Sequence, residues 1–306
     1  MAIRYVLGRV LAIIPVLLIV SIAVSLMVHF TPGDPVKVML AQTGASAEEI
    51  EKIRQELGLN EPLPVQYVHF IQDLVTGELR SIRTQQPVVQ QYFELFPNTL
   101  QLAVASLAVA TVIGLLLGIL AAIHQNSWLD TFSMAVSFLG VSIPNFWLAL
   151  VLIYVFAVTL NWLPATGSGG VKFLILPATV LAMEQVALIA RLVRSNMVEV
   201  LQEDYIKTAR SKGLGERSVQ IGHALRNAIL PTITLMGLNF GYLLSGAIIV
   251  ETVFARPGIG RLTIEAILSK DFPVVQGAVL LTAMVYLLIN LFTDISYGLI
   301  DPRIRQ

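Results

Sequence analysis

The sequence predicts an all-α membrane protein with six transmembrane helices, and three observations carry that prediction. Charged residues are only 13% of the 306 and hydrophobic ones 56%, where a soluble domain averages about 25% charged. Charge-free runs of about 20 residues, enough to cross a hydrocarbon core of about 30 Å, recur along the chain. Lys and Arg gather in the short segments that would share one side of the membrane. The totals, 20 basic against 20 acidic residues, leave no positive excess to attract a phosphate backbone, which argues against nucleic acid as a partner. The absence of cysteine removes disulfides, thiolate metal sites and cysteine nucleophiles together.

The expected spans are residues 10–30, 98–123, 132–158, 173–190, 228–250 and 274–293; all lack Asp, Glu, Lys and Arg except the fourth, which holds Glu184. The first follows Arg4 and Arg9, but its apolar run is longer than the 7 to 15 residues of a signal peptide and shows no small-residue cleavage pattern. It therefore reads as a retained helix. With the N-terminus cytoplasmic, the inside holds Arg4, Arg9, the seven bases of 191–226, Arg303 and Arg305, against Lys172, Arg256, Arg261 and Lys270 outside. That bias predicts both termini inside. The chain then divides into an N-terminal helix (1–30), an extracytoplasmic region (31–97) and a core of five spans (98–306) with a cytoplasmic loop at 191–227.

Acids exceed bases in the extracytoplasmic region, nine to five. Residues 47–57 read as a short amphipathic helix, with Ser46 and Glu49 as a capping box and Leu57-Gly58-Leu59 as its stop. Residues 62–74 offer a second short helix.

Catalytic constellations are missing. No Gly-x4-Gly-Lys-Ser/Thr is present to cradle ATP phosphates, and the four histidines show no metal-ligand spacing. Ser142 after Gly140-Val141 could suggest an intramembrane nucleophile, but the only intramembrane histidine, His29, sits at the outer edge of its span. What the spans do carry is packing devices and polar interruptions. Ala110, Gly114, Gly118 and Ala122 form a small-residue face on one helix, as do Gly237, Gly241 and Ser245 on another. Packing within one subunit is the stronger reading of both, over a subunit interface. Pro144 breaks the third span, either as a kink beside a conduit or as a static one. Thr282, Tyr286, Asn290 and Thr293 form a polar stripe that must face protein or water; helix-to-helix hydrogen bonding is the blander reading and a lined pathway the sharper. Glu184 is costly in lipid and so functional by default, although Arg191 stands close enough in sequence to weigh equally for an ordinary role. With Tyr242, Tyr286 and Asn290 it makes the set of candidate contacts for a passing solute.

The stretch 191–227 is the most informative. Val198, Leu201, Tyr205 and Ala209 fall on one face of an expected helix over 198–209, Gly213-Leu214-Gly215 stops it, and 216–226 reads as a second helix. Such a pair could lie on anionic lipid or dock by an apolar face into another protein. The residues Asp204, Tyr205, Thr208, Ala209, Lys212, Gly213, Leu214, His223, Leu225, Arg226, Asn227 and Pro231 resemble the cytoplasmic loop of ABC importer permeases. The likeness is to the branch that carries peptides, nickel and glutathione, while Lys207 stands where the general loop motif has glutamate. Thr31-Pro-Gly-Asp-Pro35, Leu57-Gly-Leu59 with Pro62, Gln66 and Tyr67, Ser142-Ile-Pro144 with Trp162-Leu-Pro164, Val250-Glu-Thr-Val-Phe254 with Pro257-Gly-Ile-Gly260, and Asp301-Pro-Arg-Ile-Arg305 are similar to further family signatures. One departure is Gly77-Glu-Leu-Arg80, where relatives tend to read Gly-Asp-Phe-Gly-x-Ser.

The resemblance implies the type I importer permease fold and a division of labour. This chain would be one of two similar but non-identical permeases in membrane lipid, paired with two cytoplasmic ATPases that hold ATP and Mg, and fed by an extracytoplasmic binding protein. The chain itself would hold no cofactor or metal and do no catalysis. The glycine corner would be the coupling helix, and the solute a short peptide, glutathione, a nickel chelate or an oligosaccharide. The alternative is a self-sufficient secondary transporter or channel; such transporters often show internal repeats and paired intramembrane charges, and neither is found here.

Overall fold

Among the described residues four helices are long and apolar enough to cross a membrane, and two bent helix pairs raise the number to as many as six. The computed structural model describes residues 2–30, 36–37, 46–56 and 58–300. The signature residues Thr31-Pro-Gly-Asp-Pro35, Leu57 and Asp301-Pro-Arg-Ile-Arg305, and the side chain of Ser245, lie outside the described residues. The described residues form α1 (Ala2–Leu26), α2 (Ala47–Glu56), α3 (Leu63–Thr76), α4 (Val88–Ile123), α5 (Trp128–Ser142) and α6 (Asn145–Leu152, continued by a π-helical Ile153–Thr159). There follow α7 (Lys172–Val200), α8 (Asp204–Ser211), α9 (Ser218–Leu225, π-helical, continued by Arg226–Ala228), α10 (Leu230–Val253), α11 (Ile259–Leu268) and α12 (Phe272–Ile300). No strand occurs among the described residues; one isolated bridge joins Arg80 and Pro87. The chain divides into two compact units, residues 1–98 with 257–306, and residues 99–256.

In the first unit, α1 packs along α12. The Gln276 amide donates to the carbonyls of Val24 (3.1 Å) and Ser25 (3.3 Å), so α12 satisfies acceptors that the end of α1 leaves without helical partners. Arg9 and Asp294 pair at 3.0 Å near the other end of the two helices. Helix α2 starts with the expected capping box: Ser46 N–H donates to Glu49 Oε2 (2.7 Å) and Glu49 N–H to Ser46 Oγ (3.3 Å). The bond from the Ser46 backbone holds the Glu49 carboxyl below its ordinary pKa. Gly58, at φ +62°, supplies the left-handed stop with its N–H on the Gln55 carbonyl. Phe70 and Leu74 of α3, Leu79, and Val88 and Tyr92 of α4 form the core with Val275, Ala278 and Leu281 of α12.

The turn at 77–87 is anchored at its base. Asp271, 3% exposed, accepts the Ser81 hydroxyl at 2.5 Å and the Ile82 and Arg83 N–H groups at 3.3 and 3.4 Å. One carboxylate thus serves three donors; the short bond from Ser81 is a charge-assisted one worth about 1.5–3 kcal/mol, and the two long N–H bonds add less. Asp271→Ala should lower the unfolding free energy by about 3 kcal/mol and make 78–87 susceptible to limited proteolysis, while Asp271→Asn, which keeps one acceptor oxygen, should lie between. A turn as protease-resistant in Asp271→Ala as in the parent would sink this assignment.

The second unit is assembled on α7. The small face of α4 meets it: a Cβ placed at Gly114 would lie 2.7 Å from Ile189 Cγ2, and one at Gly118 would lie 2.7 Å from the Ala190 carbonyl oxygen. Helix α5 seats even closer, since a Cβ at Gly140 would lie 2.5 Å from the Met183 carbonyl oxygen. The stripe of Ala110, Gly114, Gly118 and Ala122 therefore packs inside one chain, around Ala182, Val186, Ile189 and Val193. Pro144 does more than kink the third expected span. Ile143 before it is extended (φ −95°, ψ 122°), as the proline ring demands of its predecessor, and the two helices diverge by 105°. The span 132–158 is a corner between α5 and α6. Where α4 enters this unit and α10 ends, Thr99 Oγ1 donates to Glu251 Oε1 at 2.5 Å, and Arg256 donates to Gln101 at 2.8 Å. Thr99, Glu251 and Arg256 are all at most 2% exposed.

Candidate functional site

The most organised polar surface of the second unit is the segment 201–228, and its geometry starts from a helix break. The apolar spacing predicts one helix over 198–209, but α7 stops at Val200 and α8 starts afresh at Asp204. Between them Leu201, Gln202 and Glu203 form a turn whose N–H groups bond Met197, Glu199 and Val200 carbonyls. Glu203 is extended (φ −66°, ψ 148°), which places acidic Asp204 in the first turn of α8, where the helix dipole favours it. The restart resets the helical phase. Ile206 and Ala209 are the buried residues of α8, while Tyr205 is 43% exposed.

Gly213 turns the chain at φ +79°, with its N–H on the Arg210 carbonyl at 2.9 Å. A Cβ at this position would meet nothing within 4 Å. Glycine is required here by backbone conformation alone. Helix α9 then folds back, and Val219 and Ala224 close a small core on Ile206 and Ala209, flanked by Val200 and Leu201. Arg210 forks onto Glu216 at 2.8 and 3.3 Å, and Asn227 donates to the Tyr205 hydroxyl at 2.8 Å. Lys207 reaches Asp204 at 2.8 Å. The Lys207 ammonium holds the Asp204 carboxyl below its ordinary range, and Arg210 does the same for Glu216. Both contributions are complete above the ordinary carboxylate pKa and fade as pH falls through the lowered values; exposed pairs of this kind are individually weak. The result is a small two-helix knuckle with its own core.

Of the residues singled out in this segment, Ala209 is buried in that core. Asp204, Tyr205, Thr208, Lys212, Gly213, Leu214, His223 and Arg226 are all exposed. Tyr205, Leu214 and Ile221 leave 43%, 41% and 45% of their surface open, so the knuckle presents apolar as well as charged groups. Ile221 had no signal in the sequence beyond its hydrophobicity. Just before the knuckle, Arg194 of α7 clamps Asp130 of α5 through two 2.6 Å bonds, and Arg191 lies over the Phe138 ring at 5.3 Å.

Among the membrane-helix candidates, Glu184 of α7 and Tyr242 of α10 are brought together as electrostatic neighbours. Gln185, 1% exposed, follows Glu184 in sequence. Its Oε1, Asn239 Nδ2 and Thr232 Oγ1 are buried without a hydrogen-bond partner. These three escaped the sequence reading because uncharged polar residues inside apolar helices carry little signal there; their rule is that they must face protein or water. Tyr286 and Asn290 belong to the first unit. Asn290 Oδ1 is buried and unpartnered, whereas Thr282 of the same stripe approaches the Tyr92 hydroxyl at 3.3 Å. That part of the stripe serves helix packing. Among the described residues no group of three or more His, Cys, Asp or Glu could hold a metal ion.

The chain is similar to known proteins along nearly its whole length. The family model of the binding-protein-dependent transport system inner membrane component matches residues 114–306, and the model of the N-terminal part of such membrane components matches residues 2–103. A protein of Brucella abortus (strain 2308) named as a peptide transport system permease is 43% identical over 309 residues, 98% of each chain. The glutathione transport system permease protein GsiC of Escherichia coli (strain K12) is 43% identical over 303 residues, 99% of each chain. Among solved structures, the MetNI methionine ABC transporter in inward-facing conformations matches with a TM-score of 0.59 at 20% identity, over 68% of this chain and 95% of that one. At that identity the match speaks for the fold, which is the ABC importer permease fold.

Proposed function

The chain belongs to the binding-protein-dependent transport system inner membrane component family, and from that premise we propose which solute it passes, with which partners, and through which residues. It is a multi-pass inner-membrane permease of an ABC importer, with ATP hydrolysis in separate subunits. The solute is a short peptide or a peptide-like molecule such as glutathione; the names of its relatives support this. The permease forms half of the pathway beside a second, similar but non-identical permease. Two ATPases carrying ATP and Mg bind its cytoplasmic side, and a solute-binding protein delivers cargo from outside. Both termini are cytoplasmic, the first 30 residues make one crossing helix, 31–97 is extracytoplasmic, and 98–306 holds the remaining spans.

The observation that carries the coupling assignment is the knuckle at 201–228. A segment with its own core (Ile206, Ala209, Val219, Ala224) can move as a body, and its exposed Asp204, Tyr205, Thr208, Lys212, Gly213, Leu214, His223 and Arg226 offer mixed apolar and charged contacts for an ATPase groove, with Ala209 holding it together from within. ATP must favour one transporter state strongly; about 5.5 kcal/mol moves a population from 1:99 to 99:1. Glu184, Tyr242, Tyr286 and Asn290 contact the passing solute. Gly213→Pro tests the coupling role, because proline cannot adopt φ +79°, while a Cβ at this position meets nothing within 4 Å. ATP-driven uptake in proteoliposomes should fall at least about 100-fold, equivalent to about 2.7 kcal/mol, with membrane insertion unchanged. Uptake at the parent rate would remove the knuckle from the mechanism. Relatives and structural neighbours alike are ABC permeases, so solute flux driven by a gradient through this chain alone is not expected.

A further inference from the structure

Helix α3 carries its exposed surface in two unlike arcs. Phe70 and Leu74 point into the core of the first unit. Of the remaining face, His69 and Asp73 line a polar cavity of about 460 Å³. Pro64, Val68 and Val75, at helical spacing i, i+4 and i+11, form a separate apolar arc. Val68 is 57% and Val75 81% exposed. In water this arc would be a cost without return.

Its depth supplies the partner. The Tyr67 hydroxyl bonds Ser21 of α1 at 2.9 Å, and Ile22 and Leu26 of α1 line an apolar groove of about 230 Å³ with Leu63 and Pro64 of α3. The helical span Leu7–Leu26 is about 30 Å long, one hydrocarbon thickness. Leu26 therefore lies at the boundary and Ile22 about 6 Å inside it, within the depth to which interfacial helices bury their apolar face. The groove also continues an exposed apolar stripe on α1, in which Leu11, Leu18 and Ile22 are 60%, 50% and 39% exposed.

We infer that α3 is an interfacial helix that lies in the leaflet where α1 ends, with Val68 and Val75 among the lipid acyl chains. The inference rests on the membrane reading of α1 and not on transport. No Lys or Arg occurs in α3, so the contact is made with acyl chains and does not depend on headgroup charge. The absence of cysteine from the chain gives a clean test. Val68→Cys and His69→Cys are labelled with a nitroxide in the full-length chain, assembled with its partner subunits carrying no cysteine, in phosphatidylcholine vesicles. Spin relaxation is then compared for oxygen and a water-soluble nickel chelate. The label at 68 should collide several-fold more with oxygen than with nickel, the label at 69 should show the reverse, and exchange for phosphatidylglycerol should leave both ratios unchanged. Nickel access at 68 equal to that at 69 would place the arc in water, and protection of 68 from both reagents would place it under protein; either overturns the inference. Because the readout needs no ATP-driven uptake, it stands or falls separately from the importer assignment.

Discussion

Gly140→Ala should destabilise the protein by about 2–3 kcal/mol, and Gly140→Val should leave little folded protein in the membrane. The reason is where the added carbon must go. At 2.5 Å from the Met183 carbonyl oxygen and 3.0 Å from its carbon it strikes backbone, which cannot rotate away as a side-chain tip can. Helices α5 and α7 would have to separate along the contact that Gly140 creates. In a membrane no hydrophobic force holds helices together, so close backbone approach supplies much of the association. Thermal unfolding in detergent should show Gly140→Ala melting several degrees below the parent. Gly213→Ala is the control, because the same carbon there meets nothing within 4 Å and only local backbone strain is added. Equal melting of Gly140→Ala and parent would show that α5 and α7 do not pack at this distance.

Asp130→Ala should cost about 3 kcal/mol, because it strands the Arg194 guanidinium at a site that is only partly open to water. The Asp130 side chain is 7% exposed and that of Arg194 29%. Asp130 also accepts the Asn126 N–H at 3.0 Å and stands in the first turn of α5 behind the Ser127 cap. Its negative charge therefore also complements the helix N-terminus. Two double variants separate these roles. Asp130→Ala with Arg194→Leu should recover part of the loss, since no charge is left stranded. The exchange Asp130→Arg with Arg194→Asp should not recover it, since it puts a cation at a helix N-terminus. Chemical unfolding of the set measures a coupling energy, and a value under about 0.5 kcal/mol would mean that the two residues act independently.

The sequence was most legible where one physical rule dominates. Charge-free length located four spans that are single long helices, and the need for a left-handed residue located the corner at Gly213. The Ser46–Glu49 capping box was readable because it is a local, three-residue exchange. It was less legible where two outcomes share one pattern. A proline preceded by an extended residue gives a mild kink or a 105° corner depending on what packs against it, and Pro144 sits at a corner. The spacing of Val198, Leu201, Tyr205 and Ala209 runs smoothly across the turn at 201–203, so nothing in the pattern announced the phase change that buries Ile206 and exposes Tyr205. The second span reads from 98 because Glu94 interrupts the apolar run, yet α4 begins at Val88. Its early residues are fixed by tertiary contacts such as that of Tyr92 with Thr282. Glu184 stood out as a charge in an apolar helix, but its neighbour Tyr242 comes from a helix distant in sequence, and only folding pairs them.

The run of α7 from Lys172 to Val200, which stays helical through Pro177 near its start, has a mechanical consequence. Twenty-nine residues make a rod of about 43 Å, and the close seats of Gly114, Gly118 and Gly140 on it stiffen that rod over its middle. A tilt of about 10° about one end of such a rod sweeps the other through about 7 Å. The knuckle is tied to this end: Leu201 to Glu203 join it, Val200 and Leu201 pack on its core, and the Asn196 amide donates to the Ala228 carbonyl at 3.2 Å. A displacement of the knuckle would therefore be passed to the rod, and Glu184, near its midpoint, would ride at about half the amplitude.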